Sequence, residues 1–512
     1  MRRHEIIIIG LLGLFYLVTH LASLDLLPVF ADEGIYIRWA QIIIDDPGRY
    51  LFFALNDGKT PLFIWLMVPL LKYLGDPLIA GRLASVLVGL LQLPLFYLLL
   101  KELKVNNKIA YLGTLLVTIL PFWYFHHRLA LMDGLLTLGM SLALWGAIKA
   151  SRGKFQLKTA AIVGLGLGLA LWSKLPALLA TPTLFAPVIF KHLNHLKKSI
   201  PGLKTVALGT VIGLILFLTL ALQPAFGQLF NRGGDFLYPF SEVFLNGLWQ
   251  ETLPNVPTYI NYFIAYLTPS LMVLALAGLF LSYQRERTHA LFWSGVIFCA
   301  PIALLGKVVY PRYLFPAAIY FTLAAVVSLD AIYHSWFDEQ QASRAKEIKT
   351  KLLVGVITAL LLANTVASSL SFMIYSLTDV EKMPLVAADT SQYLTSWSSG
   401  HGLKETAAMI KDEARSNSLA VATEGYFGTL PDGLLMYFHD DYPNVAIDGI
   451  GQPVSGIPSE FLENAARYDK IWLVVNSHRL NLSLPHQNKI YEHCRPLNAP
   501  CLQVWDITEI EL

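Results

Sequence analysis

Charge is what this chain has least of. Only 14% of its 512 residues are Asp, Glu, Lys or Arg, against 55% hydrophobic residues. A soluble domain of this size needs far more charge to cover its surface, so that class is excluded. Cysteine is scarce as well, with three residues. Cys299 sits inside an apolar run, while Cys494 and Cys501 lie close together near the end. No small-residue cleavage site follows the first apolar run behind Met1-Arg2-Arg3-His4, so that run is expected to be a start-transfer helix. No clear internal repeat is visible, which weighs against a transporter built from repeated halves. The net charge of +2 says nothing about partners. The placement of the charges is what informs.

What is present is a series of apolar runs near the ~20 residues that a bilayer requires. They cover roughly 5–24, 78–100, 109–125, 133–149, 159–173, 175–190, 204–223, 264–282, 289–305, 313–333 and 352–377. That predicts a polytopic α-helical membrane protein with about eleven spans. Every second connection is basic. Arg2 and Arg3 open the chain, and Lys101, Lys104 and Lys108 follow the second span. Lys149, Arg152, Lys154 and Lys158 follow the fourth, and Lys191, Lys197, Lys198 and Lys204 the sixth. Arg285 and Arg287 follow the eighth, and Arg344, Lys346, Lys349 and Lys351 the tenth. The positive-inside bias puts all of these on the cytoplasmic side and the C-terminal tail outside.

The organisation expected is a membrane domain over 1–378 and a second domain over 379–512. The first outer loop, 25–77, holds two amphipathic stretches, Ile35–Ile44 and Pro61–Leu74, expected in the interface. A second outer loop, about 224–262, holds Arg232, Asp235, Glu242 and Glu251 among many aromatics. Beyond residue 379 the apolar runs shorten to strand length at Leu419–Ala422, Val445–Ile447, Ile471–Val475 and Leu502–Trp505. Helix-like stretches separate them, which predicts a small extracytoplasmic α/β domain. Cys494 and Cys501 form either a disulfide, if the compartment is oxidising, or two thiols. The sequon Asn481-Leu482-Ser483 falls on the same side and carries little weight alone.

Several charges stand at the outer face, where a membrane protein has least use for them. Asp32 and Glu33 are adjacent carboxylates after the first span. Acids favour a helix N-terminus, but a cap needs one carboxylate and here there are two. Lys59 stands in Gly58-Lys59-Thr60-Pro61, where a lysine either snorkels to lipid or is held by the proline for a ligand. His126-His127-Arg128 precedes Asp133 in a short outer turn. Arg128 and Asp133 pair with each other or serve a site, since ionisable groups near membrane depth are functional candidates. Adjacent histidines seldom point at one ion, so no metal is expected there. Lys307 and Arg312 flank a tight outer connection, and Lys174 joins the same side. Lysine and arginine there bind outer headgroups or clamp a phosphate. Carboxylates that take a proton beside cations that hold a phosphate suit group transfer from a lipid phosphate to a hydroxyl or amine. No glycine-rich nucleotide loop is present, which argues against a nucleotide-sugar donor.

Ala31-Asp32-Glu33-Gly34-Ile35-Tyr36, then Lys59-Thr60-Pro61-Leu62, then Arg128 through Asp133, then Gly306-Lys307 and Pro311-Arg312-Tyr313-Leu314-Phe315-Pro316 resemble the ordered motifs of family 39 glycosyltransferases. These are the protein O-mannosyltransferases and the aminoarabinose lipid A transferases, which have the GT-C fold. The resemblance covers about residues 1–330 plus the outward C-terminal domain. It implies a bacterial or archaeal cell-membrane enzyme that moves a sugar from a polyprenyl-phosphate donor to a lipid, glycan or protein acceptor, with no cofactor and no nucleic-acid partner. It implies Asp32 as catalytic base, with Glu33 supporting it or positioning substrate. Lys59, Lys307, Arg312 and Tyr313 are implied at the donor phosphate, and Arg128, Asp133 and Lys174 at the substrate site. The 224–262 loop is too short for the β-trefoil of the eukaryotic mannosyltransferases.

Three other readings compete. An oligosaccharyl transferase with a diphosphate donor ordinarily wants a metal site, and Asp235, Glu242 and Glu251 keep it open. A transporter is the rival from another class. A membrane-anchored binding protein whose outer domain does the work is the third.

Overall fold

The computed structural model describes residues 3–281, 283–337, 345–439 and 442–510. Arg2 and Arg344, two of the basic residues used for the topology, lie outside them. The chain forms two compact units. One comprises 1–22, 52–63 and 85–375, and the other 23–51, 64–84 and 376–512. The second unit thus takes in parts of the first outer loop as well as the C-terminal segment.

The first unit is helical. The chain is an integral membrane protein: among the described residues six helices are long and apolar enough to cross a bilayer, or up to seven if a bent pair counts as one. They include Arg3–Leu21, Pro77–Glu102, Arg285–Leu305 and Lys351–Thr378. Three expected spans are interrupted, each at proline. The run 109–125 divides into helices Asn107–Ile119 and Pro121–His126, because Leu120 turns extended before Pro121 (ψ 134°). The run 264–282 bends by 106° at Thr268 and Pro269, where Thr268 takes φ 68°. The run 175–190 breaks into short turns around Pro176, Pro182 and Pro187.

Helices Asp133–Ala150 and Leu157–Ser173 pack through glycine. A Cβ on Gly139 would stand 2.6 Å from the Ala170 nitrogen, and one on Gly166 would overlap the Ala143 nitrogen. Lipid tails give apolar helices no hydrophobic reason to associate. Close backbone approach over small residues supplies the packing instead.

The second unit is α/β. Its strands are β1 Leu419–Thr423, β2 Val445–Gly449, β3 Lys470–Asn476, β4 Lys489–Arg495 and β5 Ala499–Asp506. The order is β2-β1-β3-β5-β4. β1 is parallel to β2 and β3, and β5 is antiparallel to β3 and β4. Ala420, Leu473, Phe461 and Trp505 belong to its buried core. Cys494 lies opposite Cys501 in the β4–β5 register, and the two are disulfide-bonded. The stretch Ile35–Ile44 lies in a helix, Ala31–Asp45, whose Tyr36, Ile37, Ala40 and Ile43 are buried. It packs on the helix Asp432–Leu435: a Cβ on Gly34 would stand 2.9 Å from the Gly433 Cα. Gln41 donates to the Met436 carbonyl at 2.8 Å.

Candidate functional site

The sequence-marked residues divide between the two units. In the helical unit, Gly58 takes φ 69°, a left-handed turn that suits glycine and ends the short helix Phe53–Asp57. That turn sets the direction of Lys59, whose Nζ stands 5.3 Å from the centre of the Phe236 ring. Phe236 is fixed by backbone. Its carbonyl accepts from the Lys307 N–H at 2.9 Å, and the next residues close a bridge in which the Tyr238 N–H donates to the Leu305 carbonyl at 2.7 Å. This pairing brings the second outer loop against the Gly306-Lys307 connection. Lys307 donates from Nζ to the Gly234 carbonyl at 2.6 Å and lies over the Tyr238 ring at 4.9 Å.

Phe236 also meets Tyr313 edge to face, with ring centres 6.3 Å apart. Tyr313 in turn carries two cations. The Arg312 guanidinium is 5.4 Å from its ring centre and the Lys174 ammonium 5.2 Å. Lys174 forms an ion pair with the buried Asp133 at 2.8 Å. Six of the nine sequence-marked residues, namely Lys59, Asp133, Lys174, Lys307, Arg312 and Tyr313, therefore join one assembly around three aromatic rings, Phe236, Tyr238 and Tyr313. The negative face of an aromatic ring attracts a cation and helps to hold its place. Such a set suits an incoming phosphate.

Arg128 is built differently. Its Nη1 donates to the carbonyls of Thr19, His20 and Ala22 at 2.9–3.0 Å. These are orphan acceptors at the C-terminus of helix Arg3–Leu21, so Arg128 caps that helix. The ion partner of Asp133 is Lys174, not Arg128. Asp235 pairs with Arg232 at 3.1 Å, and Arg232 pairs with Asp57 at 2.5 Å. No three His, Cys, Asp or Glu side chains among the described residues gather in a way that could hold a metal ion.

In the α/β unit, Asp32 and Glu33 occupy the first turn of helix Ala31–Asp45. Asp32 is partly exposed, and Glu33 is fully buried. Glu33 meets Arg82 in a two-pronged pair, Nε to Oε1 at 2.9 Å and Nη2 to Oε2 at 2.7 Å. The Phe30 N–H also donates to Oε2 at 3.0 Å. Arg82 spends its remaining donors on the carbonyls of Leu24, Leu27 and Pro28 at 2.7–3.0 Å. The two side chains thus tie together Leu24, Leu27, Pro28, Phe30 and Glu33, the residues that lead into the helix turn that carries Asp32.

Sequence reading missed Arg82 and Phe236. Arg82 carried a signal, being a cation within helix Pro77–Glu102, whose other charges, Lys101 and Glu102, stand at its C-terminal end. Phe236 carried none, since it is one aromatic of many in its loop.

Comparisons with known proteins agree with this architecture. Residues 55–230 match the family of dolichyl-phosphate-mannose-protein mannosyltransferases. No curated protein matches the sequence. Among solved structures, ArnT from Cupriavidus metallidurans bound to undecaprenyl phosphate is 14% identical and superposes with a TM-score of 0.54, covering 97% of each chain. The archaeal oligosaccharyltransferase AglB from Archaeoglobus fulgidus, in complex with an inhibitory peptide and a dolichol-phosphate, is 12% identical with a TM-score of 0.51. That likeness covers 93% of this chain and 69% of AglB. The expected resemblance is borne out: the fold is the GT-C fold, and the matched segment contains Lys59, Arg128, Asp133 and Lys174.

Proposed function

We propose that this integral membrane protein of GT-C fold is a glycosyltransferase that moves a sugar from a polyprenyl-phosphate donor to an extracytoplasmic acceptor. The observation that carries the reading is the assembly of Lys59, Lys174, Lys307 and Arg312 around Phe236, Tyr238 and Tyr313. It offers a phosphate several cations on apolar walls, as a phosphate on a lipid tail requires. The family match over 55–230 supports the same donor chemistry.

In the proposed reaction Asp32 takes the proton of the acceptor hydroxyl or amine. The acceptor atom bonds to the anomeric carbon as the bond from that carbon to the phosphate oxygen breaks, with inversion. The electron pair leaves on the phosphate, and the cations stabilise the growing charge. Glu33 and Arg82 fix the turn and hold Asp32 in position. Of the two roles implied for Glu33, geometry favours support of Asp32, because both carboxylate oxygens are already bonded.

The proposal includes an active face and an α/β unit outside the cytoplasm, in a bacterial or archaeal cell membrane. The basic alternate connections support this. So does the Cys494–Cys501 disulfide, since such bonds persist in oxidising compartments.

The test is turnover of purified protein with lipid-linked sugar, beside a donor-binding assay. Asp32→Asn keeps the side-chain volume and loses the base. Turnover is expected to fall by ~10²–10⁴-fold with donor binding retained. Near-normal turnover in that variant ends the mechanism. Lys307→Gln and Arg312→Gln each remove a charge-assisted contact of ~1.5–3 kcal/mol, so the KM for donor should rise roughly ten- to a hundredfold. An unchanged KM in both removes the phosphate clamp. Mass spectrometry of lipid-linked sugars in cells lacking the gene identifies the donor that accumulates.

A further inference from the structure

A cavity of about 320 Å³ opens in the helical unit among the ends of several helices. Lys104, Arg152, Lys191 and Arg287 line it together with Glu102 and Glu286. The four cations come from four separate connections, each one that the topology marks as basic. Glu102 pairs with Arg152. Arg287 donates from Nη1 to the Leu103 carbonyl at 2.6 Å. The side chains of Lys104 and Lys191 form neither a hydrogen bond nor an ion pair among the described residues. Lys191 nonetheless lies in the electrostatic field of Arg287, Lys104 and Arg152, opposed by that of Glu286. Four cations thus converge against two carboxylates, one of which is already committed to Arg152.

Like charges held this close repel, and an anion among them relieves the repulsion. Lys104 takes a left-handed backbone conformation, φ 58°, at the helix end. Apart from Ser151 the remaining wall is apolar, with Leu103, Ile148 and Leu291. A cationic rim over an apolar wall at helix ends is the chemistry of a lipid headgroup site, and the volume is at the lower end of ligand pockets. The cavity is separate from the donor cations. Helix Arg285–Leu305 carries Arg287 at one end and leads into Lys307 at the other. At ~1.5 Å per residue its length is roughly 30 Å, one bilayer core.

We infer that this cavity binds the phosphate of an anionic lipid headgroup, at the membrane face opposite the donor cations. The inference stands whether or not the chain transfers sugar.

The full chain in phosphatidylcholine nanodiscs, with and without phosphatidylglycerol, provides the test. Native mass spectrometry counts the phosphatidylglycerol retained, and inorganic pyrophosphate is the soluble probe. Lys104→Asn with Lys191→Gln should lower phosphatidylglycerol retention about tenfold and leave phosphatidylcholine retention unchanged. Lys191→Arg, which keeps the charge, should behave as the wild type, so a loss caused by misfolding is told apart. Pyrophosphate bound in place of lipid, and lost in the same double variant, assigns the cavity to a soluble phosphate compound instead. Equal phosphatidylglycerol retention by wild type and double variant overturns the inference.

Discussion

Glu33 shows how far a residue can be read alone. Two adjacent acids at a membrane face are visible in the sequence, and the excess of one carboxylate over the need of a helix cap marks them both. What divides their roles is Arg82, forty-nine positions later, and no local pattern announces that pairing. The same holds for Lys59 and Lys307, whose motifs were legible while the ring and carbonyl that hold them came from an unpatterned loop. Breaking a buried pair by removing one partner leaves an uncompensated charge, at a typical cost of ~3–5 kcal/mol. Arg82→Leu should therefore destabilise the protein strongly. Glu33→Gln keeps the Phe30 N–H bond through its amide oxygen but loses the charge opposite Arg82. It should lower both thermal stability and turnover, whereas Asp32→Asn lowers turnover alone. Melting temperature measured beside turnover for the two variants separates support from chemistry. A Glu33→Gln protein as stable as the wild type would contradict the supporting role.

At the scale of elements, the long helices followed from apolar length, and β1, β2, β3 and β5 from short apolar runs. The breaks did not. Pro121, Pro176 and Pro269 were in view, but membrane helices tolerate proline where neighbours satisfy the freed groups, so proline alone does not set a break. β4 was also missed, because Lys489–Arg495 alternates polar and apolar residues too weakly to stand out from a loop. The segment before helix Leu403–Glu413 gives this unit a pH dependence. His401 Nδ1 lies 2.7 Å from Ser399 Oγ, and Ser399 offers its carbonyl to Arg495. Burial, with the charges of Arg495 and His493, pushes the His401 imidazole down to about 4. The unfolded chain takes up that proton near pH 6.5, while the folded unit resists until about 4. Stability is thus fully present above pH 6.5 and is lost as pH falls through that window, by at most ~3 kcal/mol. Thermal melts from pH 7.5 to 4.5 should show the fall, and His401→Asn should flatten it. An equal slope in the variant would mean that other groups carry the effect.

The molecule as a whole rests on sidedness, which the sequence expresses through a statistical bias of lysine and arginine rather than through any one residue. Among the described residues six helices are long and apolar enough to cross a bilayer, with several shorter apolar ones, and the expected frame alternates the basic connections between them. That alternation predicts that Arg152 is cytoplasmic while Cys494 and Cys501 are outside. The disulfide gives an independent check, because its persistence requires an oxidising surround. In intact cells a membrane-impermeant reductant followed by an impermeant maleimide should label Cys494 and Cys501, and without the reductant neither should react. In a chain with its three native cysteines replaced, Arg152→Cys should react only after the membrane is permeabilised. The two experiments test opposite faces of one frame and must agree. Labelling of Arg152→Cys in intact cells would turn the frame over, placing Asp32 with the cytosolic nucleotides and removing the reason to expect a lipid-borne donor. It would also put the anionic headgroup cavity in the outer leaflet while leaving its charges, and therefore its ligand chemistry, unchanged.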